Sequence, residues 1–178
     1  MEVDIRKLER EAVPEVRALM VDVASRLPSR ALFAKDDEAF LYGIVEGKGE
    51  LYGAYRGGRL VAYTVLAFPG RSPKNLGRAI GVPEEELDRV AALDASVVHE
   101  DARGLGLQRR FHALREERAR ALGYRLLYST VHPDNEVSRR NLEAAGFTLQ
   151  FTRPLYGGNP RHCYAKWLDA RQSDGERG

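Results

Sequence analysis

Val98-His-Glu-Asp-Ala-Arg-Gly-Leu-Gly-Leu-Gln-Arg109 joins an apolar run to a long helical pattern. Gly104 and Gly106 stand just ahead of the helix start. There, backbone N–H groups without intrahelical partners and the helix dipole converge on an anion, and glycine lets a phosphate come close. Arg103, Arg109 and Arg110 add positive charge. Two standard phosphate loops do not fit. The stretch has no Gly-Lys-Ser/Thr ending, so it is not a Walker A loop. Arg109 stands where a dinucleotide-binding turn has its third small residue. Taken alone, the turn is equally a plain strand–helix connection with glycines for geometry.

Working outward, strand and helix patterns alternate. Before the turn, Val90 to Val98 is rich in small and β-branched residues and predicts a buried strand. After it, Leu107, Phe111, Leu114, Ala121 and Leu122 follow the helical period up to Gly123. Leu126 to Val131 predicts a strand and Asn135 to Ala145 a helix closed by Gly146. Phe147 to Thr152 and His162 to Leu168 predict the last strands, joined through Pro154–Pro160. Towards the N-terminus, Val3, Ile5 and Leu8 mark an opening strand, and Val16, Leu19, Met20, Val23 and Leu27 a helical stripe. A weaker helix spans Asp36 to Val45, and residues 50–68 read as a hairpin over Gly57-Gly58. Residues 69–88 form a polar excursion in which Pro83–Leu87 starts a short helix. Strand–helix–strand units imply an α/β fold with partly parallel pairing.

Composition narrows the function classes. A chain of 178 residues with 43% hydrophobic and 30% charged residues is globular and of single-domain size. The net charge of +2 argues against coating nucleic acid or a membrane. One cysteine, Cys163, excludes an internal disulfide framework and a multi-cysteine zinc site, and fits a reducing compartment. The charged N-terminus is no signal peptide and no apolar run would span a bilayer, so the expectation is a cytoplasmic protein with no metal. Charge is nevertheless uneven. Arg103 to Arg125 holds seven arginines and two glutamates, a local +5. Arg115, Arg118 and Arg120 within it read as a solvated helix face.

Arg103-Gly-Leu-Gly-Leu-Gln108 after a strand resembles the acetyl-CoA pyrophosphate loop of the GNAT superfamily of N-acetyltransferases, Arg/Gln-x-x-Gly-x-Gly/Ala. The lead-in Val98–Arg103 is similar to the family's, with Glu100 where proline is common. Asn135-Glu-Val-Ser138 and Gly146-Phe147 resemble its fourth-helix signature. The resemblance covers residues 1–169 and implies a single GNAT domain, a mixed central sheet with splayed parallel strands and flanking helices. Residues 170–178 are expected to be a disordered tail. It further implies that the backbone of Ser96, Val97 and Val98 pairs with the pantetheine arm. Amides of Arg103, Gly104, Leu105, Gly106, Leu107 and Gln108 would hold the pyrophosphate, and Asn135 would bond the arm. The chain also departs from the family pattern. Gln108 replaces a final small residue, Leu142 stands where many members carry a general-acid tyrosine, and Thr130 stands where some place a glutamate.

Proton transfer therefore needs other groups. Asp94 is the candidate base, on the buried strand with Ser96 and Val98 on one face. A structural carboxylate, paired with an arginine or capping nearby backbone, is the competing reading. His99 and His132 flank the site at strand ends, where either could titrate usefully, but are expected as solvated turn residues, and His112 as a surface one. Tyr156 in the Pro154–Pro160 connection is the candidate substrate-binding residue, and Tyr42 and Phe33 are candidate acceptor walls. Cys163 reads as a small buried residue. The expected activity is acetyl transfer from acetyl-CoA to a primary amine of a small molecule. The alternatives are a protein or peptide acceptor and a non-catalytic acyl-CoA-binding module. The 69–88 excursion would be a lid, an acceptor wall or an oligomer contact, as in a homodimer.

Overall fold

The computed structural model describes residues 2–27, 37–155 and 157–168. The fold is α/β, with a seven-stranded mixed sheet of order β1-β2-β3-β4-β5-β7-β6 and flanking helices. The strands are β1 (Val3–Leu8), β2 (Gly49–Arg56), β3 (Arg59–Ala67), β4 (Val90–Val98), β5 (Leu126–Val131), β6 (Thr148–Leu155) and β7 (Asn159–Trp167). The α-helices are α1 (Val13–Ala24), α2 (Glu38–Gly43), α3 (Gly77–Ile80), α4 (Leu107–Ala121) and α5 (Glu136–Ala144). The expected tail and Phe33 lie outside the described residues. The chain divides into two compact units, Met1–Ala67 with Asp94–Phe111, and Phe68–Leu93 with His112–Gly178.

In the first unit β1 and β3 both pair antiparallel with β2, and Gly57 and Gly58 turn the hairpin at φ 60° and 79°. That left-handed pair favours glycine. Gly53 is fixed by crowding instead. A Cβ there would lie 2.7 Å from Leu8 Cδ1 and 2.8 Å from Leu60 Cδ1, so Gly53→Ala would force those two leucine side chains to shift. α1 buries Val16, Leu19, Met20 and Val23 along one stripe, as its spacing predicts. Asp37 caps α2 by accepting the Phe40 N–H at 2.8 Å. Ala54, Val61, Ala62, Ala102, Leu107 and Phe111 form a core, with Val3, Ile5 and Val98 packed against it. Each large apolar side chain so buried contributes about 1.5–3 kcal/mol before entropy. The start of α4 is anchored by this cluster.

In the second unit β4 and β5 run parallel through Val90–Ala92 and Leu126–Tyr128. The β6–β7 hairpin is longer than predicted. Pro154 and Pro160 face each other inside it, instead of ending the strands. β6 is the edge strand and Pro160 stands near the start of β7, where proline is tolerated. The 69–88 excursion closes on itself. Buried Asn75 donates to the Gly70 carbonyl at 2.7 Å and accepts the Gly77 N–H at 2.8 Å. Arg78 donates to Glu84 at 2.5 Å and 3.1 Å and to the Ser72 carbonyl at 2.7 Å. The Leu76 N–H reaches Tyr128 Oη on β5 at 3.3 Å.

Two expectations on α4 are corrected. Its buried residues are Leu107, Phe111, Arg115 and Ala119, every fourth position, while Leu122 is exposed. Arg115 is therefore not on a solvated face; it is 1% exposed, because it continues the Leu107–Phe111 row.

Candidate active site

Arg103 to Gly106 is exposed, and Leu107 dives into the core. Gly104 and Gly106 have φ of 84° and 73°, a region that costs other residues about 1–2 kcal/mol. Among the described residues, no atom beyond the adjoining residues lies within 4 Å of a Cβ built on either, so conformation and not crowding selects glycine. The first helical hydrogen bond of α4 runs from Arg110 N–H to the Gly106 carbonyl at 3.0 Å. The amides of Leu107, Gln108 and Arg109 precede it, as the first N–H groups of any helix do. Arg103, Arg109 and Arg110 are exposed around them. The arrangement matches an anion such as a phosphate ester.

Upstream, burial along β4 falls at Asp94, although Val97 is buried again. Asp94 is exposed and Ala95, Ser96 and Val98 are half-buried, although the sequence pattern predicts a strand buried throughout. The drop comes two residues past Ala92, the last residue of β4 paired with β5. Asp94 Oδ1 accepts the Ala95 N–H at 3.0 Å. Ser96 Oγ lies 2.5 Å from Thr64 Oγ1, which also bonds the Ala95 carbonyl at 3.3 Å. Thr64 is opposite Tyr52 on β2, and Tyr52 Oη donates to Glu50 at 2.6 Å. Glu50, Tyr52, Thr64 and Ser96 thus make a polar row on one face of the first unit's sheet, the face of Asp94 by alternation. Sequence reasoning missed Glu50 and Tyr52. Their signal is period-two polarity, with a glutamate opening an otherwise apolar strand.

The histidines differ from expectation. His99 is buried, not solvated, because Asp22, Arg26 and Arg59 enclose it. Its Nδ1 accepts the Asp101 N–H at 3.0 Å, fixing the turn after β4. His132 caps its own turn through the Asp134 N–H at 3.0 Å, and its side chain is mostly covered. His112 is half-buried against Phe147, at 6.4 Å between ring centroids. Burial, helped by the Arg115 charge, pushes it down to about 3. Burial drives the Cys163 thiol the other way, up to about 12, which keeps it protonated.

In the second unit Asn135 caps α5, its Oδ1 accepting the Ser138 N–H at 3.2 Å, which leaves the carboxamide NH2 to donate elsewhere. Leu142 is buried at 2% and brings no phenol. Tyr164 on β7 is engaged with α5, donating to Glu143 at 2.8 Å. Tyr42 is half-buried under the Arg10 guanidinium, which also pairs with Glu46. Tyr156 lies outside the described residues. Among the described residues there is no group of three or more metal-ligating side chains, and no helix is long and apolar enough to cross a membrane.

The family model for the acetyltransferase (GNAT) family matches residues 17–147. The chain belongs to that family, whose members are acetyltransferases. Its fold is that of an N-acetyltransferase from Staphylococcus aureus, with a TM-score of 0.72 at 16% identity, covering 94% of this chain and 99% of that one. A Salmonella typhimurium acetyltransferase structure with its cofactor acetyl-CoA matches with a TM-score of 0.70 at 14% identity, covering 94% of each chain. A ribosomal-protein-alanine N-acetyltransferase from Brucella melitensis matches with a TM-score of 0.69 at 19% identity, over 92% of this chain and 99% of that one. No curated protein matches in sequence.

Proposed function

We propose that the protein transfers acetyl from acetyl-CoA directly to a primary amine of a small molecule. The observation that carries this reading is the loop itself. Two left-handed glycines open onto amides that precede the first hydrogen bond of α4, directly after the polar end of β4. In this reading Arg103 to Gln108 hold the pyrophosphate and the backbone of Ser96, Val97 and Val98 aligns the pantetheine arm. The Asn135 carboxamide bonds that arm. Acetyl-CoA supplies an acetyl group activated as a thioester. The chain must then strip a proton from the incoming ammonium. Asp94 is exposed to solvent and takes that proton through water. Neutralising the leaving thiolate falls to a group other than residue 142, which is leucine. Tyr156 remains the candidate contact to the acceptor. The one cysteine is a buried thiol, in keeping with action in the reducing cytoplasm.

The test is release of free thiol from acetyl-CoA over a panel of small amines, amino-acid amides and N-terminal peptides. Turnover with small amines is expected. Turnover confined to peptides would replace the acceptor class. Leu142 favours a second reading, an acyl-CoA-binding module without catalysis, and cofactor binding with no turnover on any amine would establish it.

A further inference from the structure

The turn leading into the glycine loop is held from outside by charge. His99 follows β4, and Glu100–Ala102 forms a 3-10 turn immediately before Arg103. Arg26, just beyond α1, donates twice to Glu100, from Nε to Oε2 at 2.6 Å and from Nη2 to Oε1 at 2.8 Å. The same guanidinium donates twice to Asp22, at 2.7 Å and 2.9 Å. Both carboxylates are gripped in a fixed planar geometry, which a lone charge contact lacks. The Arg26 bonds hold the Glu100 carboxyl down at about 2, so it stays ionised at any working pH.

The rest of the turn is fixed as well. Arg56 donates to the Asp101 carbonyl at 3.3 Å, and Arg59 lies 3.7 Å from the Asp101 carboxylate. The His99 N–H bonds the Val61 carbonyl at 2.8 Å. Ala102 is buried with Leu107 and Phe111. By contrast, Arg103 to Gly106 is exposed and carries two glycines, the residue with most conformational freedom to lose. Its order must come from its ends. α4 holds one end, and this turn holds the other.

We propose that Arg26 and Glu100 are positioning residues that set the glycine loop for the cofactor's pyrophosphate, an inference that rests on the acetyl-CoA reading above. Glu100 is the first residue of its turn and His99 before it is extended, at φ −63° and ψ 146°. Both conditions suit a proline at position 100, which would fix the turn by its ring with no ion pair.

The experiment compares the unmodified protein with Arg26→Gln, Glu100→Gln, their double variant, and Arg26→Gln combined with Glu100→Pro. Acetyl-CoA is titrated calorimetrically, steady-state kinetics are measured, and amide exchange is followed over residues 100–108. Each single change is expected to weaken acetyl-CoA roughly three- to tenfold, and the double no more than the worse single, as for residues of one network. KM should rise with kcat unchanged, exchange should quicken, and Glu100→Pro should restore both affinity and protection. Unchanged affinity and exchange in Arg26→Gln, additive losses, or failure of proline to rescue would each overturn the proposal. Failure of the unmodified protein to bind acetyl-CoA would sink the cofactor reading instead, and the exchange measurement would still judge the latch.

Discussion

Asp94 shows what one residue can and cannot disclose. An aspartate within Val-Ala-Ala-Leu-Asp-Ala-Ser is conspicuous in sequence, but its exposure is not, because that depends on where β4 stops pairing with β5. Exposure suits a base that works through water. Asp94→Asn is expected to lower kcat about 10²-fold or more, the usual size of a general-base contribution, with acetyl-CoA affinity unchanged. Steady-state kinetics on an accepted amine checks this. If kcat held, the base would be sought along the same face, at Glu50 first. Gly104 and Gly106 were readable because a positive φ is a local demand. His99 was not, since its burial is made by Asp22, Arg26 and Arg59, remote in sequence.

Among the elements, α4 was placed well but its buried side was misread. The apolar residues Leu114, Ala121 and Leu122 suggest one stripe, whereas packing chose the row through Arg115 and Ala119. A long side chain can bury its stem there and carry its charge to partners that no spacing rule reveals. His112 lies beside Arg115, whose Nη2 is 3.4 Å from its Nδ1, an arrangement that needs the imidazole neutral. Its folded value of about 3 lies below the ordinary 6.5. As pH falls below 6.5 the unfolded chain takes up this proton and the folded one does not. Stability present above that pH is thus lost towards about 3, by at most ~1.4 kcal/mol per pH unit. His162, lowered chiefly by burial, acts in the same direction. Thermal melts between pH 7 and pH 5 should show a shallower decline in His112→Gln than in the unmodified chain. Equal slopes would place the acid sensitivity elsewhere.

For the whole molecule, the order of strands and helices was legible because each element carries its own period and punctuation. Sheet order needed the strand–helix–strand rule and the likeness of the loop. The long β6–β7 hairpin escaped because proline was taken as a stop, without knowing that β6 is an edge. The 69–88 excursion was seen as a length, but its closure around Asn75 and Arg78 is tertiary. The acceptor is the least legible part, since the fold, shared for example with a ribosomal-protein-alanine N-acetyltransferase, does not choose it. The cofactor claim is sharper and reaches back to the glycine loop. Titration of acetyl-CoA into the unmodified protein and Gly106→Ala decides it. The account predicts binding by the unmodified chain and roughly tenfold weaker binding by the variant, the equivalent of about 1.4 kcal/mol from forcing a Cβ into the left-handed region. No binding by the unmodified protein, or equal binding by both, would contradict it.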